Sequence, residues 1–73
     1  MAATLNQLAP GDVGTIRKFT DDATACKLMS MGLLPGTTLR VVRQAPFGGA
    51  VYIKADTQQF AIRKSEAACI VLN

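Results

Sequence analysis

Acid–base or nucleophilic chemistry in this chain would have to come from two cysteines, Cys26 and Cys69, and five carboxylates, Asp12, Asp21, Asp22, Asp56 and Glu66, because histidine is absent. Without an imidazole neither a Ser/His/Asp nor a Cys/His relay can be assembled. The cysteines are distant in sequence and form no Cys-x-x-Cys knuckle, so tetrahedral zinc and haem attachment are not expected. Asp21-Asp22 is the one adjacent carboxylate pair. A hard cation wants roughly six or more oxygen ligands, and helix capping already accounts for this pair. Gly48-Gly49 runs into Ala50-Val51 and not into Lys-Ser/Thr, so no P-loop is present and nucleotide hydrolysis is not expected. The inventory predicts a protein that is not an enzyme, with no catalytic residues, no metal site and no cofactor. Two cysteines are also few for a disulfide framework, and the expectation is two buried thiols in a reducing compartment.

Binding chemistry is better represented. The formal charge is +3, with net −1 over residues 1–26 (Arg17 and Lys18 against Asp12, Asp21 and Asp22) and net +5 over 27–64 (Lys27, Arg40, Arg43, Lys54, Arg63 and Lys64 against Asp56). Such an excess suits an acidic protein surface, a nucleic acid or anionic lipid, since the field alone does not distinguish them. The aromatics are Tyr52, Phe19, Phe47 and Phe60, without tryptophan, which is too little for a polyproline-gripping groove or a base-stacking platform. Phe47 lies between Pro46 and Gly48-Gly49 with little local cover; it is expected to fold back as a lid, and a contact role is the alternative. Arg40, Arg43, Phe47, Tyr52 and Lys54 are the candidate partner-binding residues.

These side chains need strands to hold them. Ala9-Pro10-Gly11-Asp12 reads as a turn, followed by a strand over 13–19 in which Gly14 suggests a bulge or close backbone approach. Thr20-Asp21-Asp22 offers capping oxygens for a helix over 23–31, with Ala25, Leu28 and Met29 at helical spacing and Gly32 placed to end it. After Leu33-Leu34-Pro35-Gly36, a strand over 37–44 puts Leu39 and Val41 on one face and Arg40 and Val42 on the other. The loop over 45–50 then leads to a strand over 51–55 with Tyr52 and Lys54 outward, forming a hairpin. A strand over 59–63, a short turn capped by Ser65 and a last strand over 69–72 complete the chain. Leu28, Leu39, Val41, Ile53, Phe60 and Ile62 are the expected core, with Leu33 packed beneath the helix end.

Five short strands with one inserted helix imply an all-β class and a small, partly open β-barrel forming a single domain over 1–73. The longest apolar runs, such as that through Cys69-Ile70-Val71-Leu72, are far shorter than the roughly 20 residues of a membrane-spanning helix. Met-Ala-Ala-Thr-Leu-Asn has neither the basic flank nor the apolar run of a secretory signal, which predicts a cytoplasmic protein.

Lys27-Leu28-Met29-Ser30-Met31-Gly32-Leu33-Leu34-Pro35-Gly36, then Leu39-Arg40-Val41-Val42-Arg43, then Ala45-Pro46-Phe47-Gly48-Gly49 resemble the FeoA family of small ferrous-iron transport proteins. Leu8-Ala9-Pro10-Gly11-Asp12 and the stretch from Phe60 to Ala67 fit the same pattern, and Met31 stands where the family often has leucine. The resemblance implies an SH3-like β-barrel and an accessory or regulatory role beside FeoB, the membrane Fe(II) transporter with a cytosolic G-protein domain. Membrane association would then come only through that partner, at the inner face of the plasma membrane; self-association is compatible with it, and transition-metal binding is a family-level trait. The same barrel forms the C-terminal domain of DtxR-type repressors, whose helix-turn-helix domain this chain lacks. The alternative function is a small basic SH3-like barrel that binds nucleic acid, although no stable nucleic-acid complex is expected. A direct metal carrier lacks the clustered ligands.

Overall fold

The computed structural model describes residues 3–73. Met1 and Ala2, on which the reading of the N-terminus partly rests, lie outside the described residues. Five antiparallel strands run in the spatial order β4-β3-β2-β1-β5: β1 (Val13–Phe19), β2 (Thr38–Gln44), β3 (Ala50–Ala55), β4 (Gln58–Arg63) and β5 (Ile70–Leu72). A helix, α1 (Asp22–Ser30), connects β1 to β2, and a short helix, α2 (Lys64–Ala67), connects β4 to β5.

The sheet curls because β1 divides its pairing. Residues 13–15 face β2, whereas residues 16–19 face β5, and a register shift at Arg17 interrupts the β5 pairing between Ile16 and Lys18. A bulge adds an unpaired residue and increases local twist, which turns a flat ribbon into a partly closed barrel. Gly14 answers the sequence reading as a close approach, since a Cβ there would stand 2.8 Å from Leu72 Cδ1. Buried Leu and Ile side chains from every strand meet Leu28 of α1, Leu33 and Leu5, and no polar or charged residue is buried among those described.

Helix α1 begins where its chemistry allows. The Asp21 carboxylate accepts the Thr24 N–H at 2.8 Å, and Asp22 adds negative charge in the first turn. Gly32, at φ +97°, ends it one residue earlier than the spacing predicts. The chain then descends into the core: Leu33 is fully buried, as expected, while Met29 is exposed and Phe60, on the terminal strand of the sheet, is only half-buried against the core.

Two expectations are corrected. Ser65 does not cap α2; it lies inside it, and the cap position is Arg63, whose N–H donates to Glu66 Oε1 at 3.2 Å. The cysteines are free but not both buried: Cys26 is exposed on α1 and Cys69 is intermediate, its thiol donating to the Ser65 carbonyl at 3.6 Å. Ala25 and Leu28 supply the inward side of this short helix, which leaves Cys26 on the solvent side.

Candidate functional surface

Arg40 and Arg43 come from β2, Tyr52 and Lys54 from β3, and the two strands pair with Arg40 opposite Lys54 and Arg43 opposite Tyr52. Strict two-residue alternation would send Arg43 inward beside Leu39 and Val41. The register shift between Val41 and Arg43 adds one residue and returns Arg43 to the outer face. There its guanidinium lies 4.9 Å from the centre of the Tyr52 ring, within cation–π range. Tyr52 is half-buried under this cover, and the other three are exposed.

Arg40 and Lys54 are like charges directly opposite each other, an arrangement that destabilises a strand pair by a few tenths of a kcal/mol or more. Neither is ion-paired within the described residues, nor is Arg43. Val13, Thr38, Leu39 and Asp56 join Arg40 and Lys54 around an open groove of about 440 Å³. Val13 is exposed opposite Arg40 and is not among the sequence candidates; counting back from inward Ile16 in steps of two puts Gly14 inward and Val13 outward.

Phe47 departs from expectation most. It does not fold back as a lid: its relative exposure is 104%, beyond that of an ordinary extended chain. Pro46–Gly48 form a single 3-10 turn in which Phe47 adopts φ 61°, ψ 28°, the left-handed region that a bulky residue rarely occupies. Pro46 before it and Gly48 (φ +71°) after it hold this geometry, and Ala45 N–H to Ala50 O at 2.8 Å closes the loop beneath. The aromatic therefore projects from the end of the β2–β3 hairpin that also carries the basic face.

Lys27, Glu66 and Asp21 are engaged in structural contacts. Lys27 Nζ meets Glu66 Oε2 at 2.7 Å, tying α1 to α2 and holding the Glu66 carboxyl below its ordinary range. The Thr24 N–H likewise lowers the Asp21 carboxyl, so this aspartate is occupied as a helix cap. Among the described residues no group of three His, Cys, Asp or Glu side chains gathers, and no helix is long and apolar enough to cross a membrane.

Solved structures carry the same architecture. A crystal structure described as iron uptake regulatory protein (FeoA) is 33% identical, covers 100% of this chain and 96% of its own, and superposes with a TM-score of 0.86. FeoA of Stenotrophomonas maltophilia, complexed with zinc and described as a procaryotic SH3 domain protein, is 28% identical, with coverage of 99% and 91% and a TM-score of 0.83. A manganese-dependent transcriptional repressor shares the fold at a TM-score of 0.89, with 22% identity over 97% of this chain but only 36% of its own. The SH3-like barrel expected from the sequence is therefore the fold observed, and with the FeoA domain model matching residues 3–73, the chain belongs to the FeoA family.

Proposed function

We propose that this protein is an accessory factor of bacterial ferrous iron transport, acting in the cytoplasm by binding the cytosolic G-protein side of the FeoB transporter. Family membership supports the ferrous-iron role. The observation that carries a binding role is Phe47, a large apolar side chain wholly in water on a backbone conformation that costs of order 1–3 kcal/mol for a non-glycine residue. Its exposure contributes nothing to folding, whereas a central buried aromatic is a common anchor of protein interfaces. On the same hairpin, Arg40, Arg43 and Lys54 lack intramolecular carboxylates and would meet an acidic patch on the partner, steering its approach. Tyr52 holds the Arg43 guanidinium in place.

Genetic complementation tests the role. A bacterium lacking its own copy and dependent on Fe(II) should regain growth and iron accumulation with the parent chain, and FeoB should co-purify with it. If the parent restores neither, or retains RNA in a salt-dependent manner while ignoring FeoB, the transport reading fails in favour of nucleic-acid binding.

A further inference from the structure

The loop that carries Phe47 does not stand on the β2–β3 hairpin alone. Ala50, which closes the loop, pairs with Arg63 at the end of β4, and strand alternation puts Arg63 on the same outer face as Tyr52. The next residue, Lys64, opens α2, and a Cβ built at Gly48 would stand 3.5 Å from Lys64 Cδ, an ordinary van der Waals contact. The aliphatic stem of Lys64 therefore lies against the residue that follows Phe47, while the side chain as a whole stays exposed and keeps its ammonium in water beside the loop.

On the strand leading into the loop, the Arg43 guanidinium is fixed over Tyr52. Cations thus flank Phe47 from both sides. Neither Arg63 nor Lys64 is ion-paired among the described residues. The nearby Glu66 carboxylate is already engaged, by Lys27 Nζ at 2.7 Å and by the Arg63 N–H at 3.2 Å.

We propose that Lys64 is a further contact residue of this surface and that, with Arg63, it selects what the partner presents: an apolar pocket that takes one phenyl ring and carries carboxylates on its rim. This rests on the transporter-binding reading above and specifies the chemistry of the docking site. Pro46, Gly48 and the Ala45–Ala50 bond hold the Phe47 backbone in one conformation, so little freedom is lost when a shaped pocket closes over the ring. A fluid bilayer gains nothing from a fixed ring direction. One phenyl group also offers less apolar contact than the single acyl chain that by itself gives only marginal membrane binding. The cations cannot follow the ring inward, because burying an unpaired ammonium is costly. They stay at the rim, where they favour carboxylates and reject a pocket ringed by lysine or arginine.

Binding of the full chain to full-length FeoB in detergent, measured from about 50 to about 500 mM salt, separates the stem of Lys64 from its charge. Lys64→Met keeps the stem against Gly48 and removes the charge. It should weaken binding about threefold at low salt and lessen the salt dependence, with a melting temperature close to the parent's. Lys64→Glu should weaken binding at least about tenfold, and Lys64→Arg should bind as the parent does. Lys64→Glu combined with Phe47→Ala should lose less than the product of the two single losses, since ring and rim meet one pocket. If the parent binds and Phe47→Ala weakens it, but Lys64→Met and Lys64→Glu match the parent at every salt concentration, this proposal fails while the transport reading stands. A parent that does not bind FeoB defeats both. Flotation with vesicles of equimolar phosphatidylglycerol and phosphatidylcholine should leave the parent behind; a parent that floats, and is released by Phe47→Ala, puts the ring in lipid and overturns the pocket.

Discussion

The loop after α1 and the loop between β2 and β3 are built from the same materials, a proline, glycines and bulky apolar residues, yet they dispose of those residues in opposite ways. In residues 32–37 Leu33 is fully buried, and Gly36 N–H to Ile16 O at 2.7 Å and Ile16 N–H to Thr37 O at 2.9 Å stitch the backbone to β1. The Thr37 side chain accepts the Leu34 N–H at 3.2 Å. In residues 45–50 the closing bond is Ala45 to Ala50, and Phe47 touches solvent on all sides. Glycine at positive φ serves both loops, but in the first it lowers an apolar residue into the core, and in the second it helps to hold one out. Proline and glycine signal that the chain turns; where the turn delivers its apolar residue depends on whether backbone partners lie within reach.

Substitutions break this contrast in graded steps. Leu33→Ala should have the largest effect, a loss of about 2–5 kcal/mol in denaturant-induced unfolding, since it empties a site beneath α1 in a domain whose total stability is small. Gly36→Ala meets no steric neighbour, so its cost isolates the left-handed backbone (φ +95°) at about 1–2 kcal/mol in the same measurement. Glu66→Gln should cost less, about 0.2–1 kcal/mol, because Lys27 is half in water and the pair is screened. The Glu66 carboxyl is held below its ordinary 4.5, chiefly by Lys27. Its stabilisation is complete above that value and is lost as pH falls through the lower folded value, so the variant should flatten the acid limb of a pH–stability curve. Phe47→Ala should be the smallest, within about 0.5 kcal/mol of the parent.

Much of the scaffold is legible in the sequence because alternation and capping are local. Leu39, Val41, Ile53 and Ile62 face the core as the two-residue period requires, and Asp21 caps α1. Leu5 was not, since it sits in a 3-10 turn with no periodic context, and its burial depends on β5 and α2 returning to it. Ser65 is a good capping residue in general, but Glu66 had already satisfied the preceding backbone from Arg63. Strand parity places Arg40, Tyr52 and Lys54 outward, whereas the outward turn of Arg43 depends on a bulge that no residue in Thr38–Gln44 announces. Phe47 projects into water and does not cover the barrel, because the local Pro-Phe-Gly conformation overrides the general tendency of aromatics toward burial.

The binding constant of the cytosolic FeoB domain for the parent, Phe47→Ala, and Arg40→Glu with Arg43→Glu, measured with their melting temperatures, tests the central claim most directly. The account expects Phe47→Ala and the charge reversals each to weaken binding at least about tenfold, with melting temperatures close to the parent's. Unchanged affinity in folded Phe47→Ala and charge-reversed proteins would contradict it and move the contact surface elsewhere on the barrel.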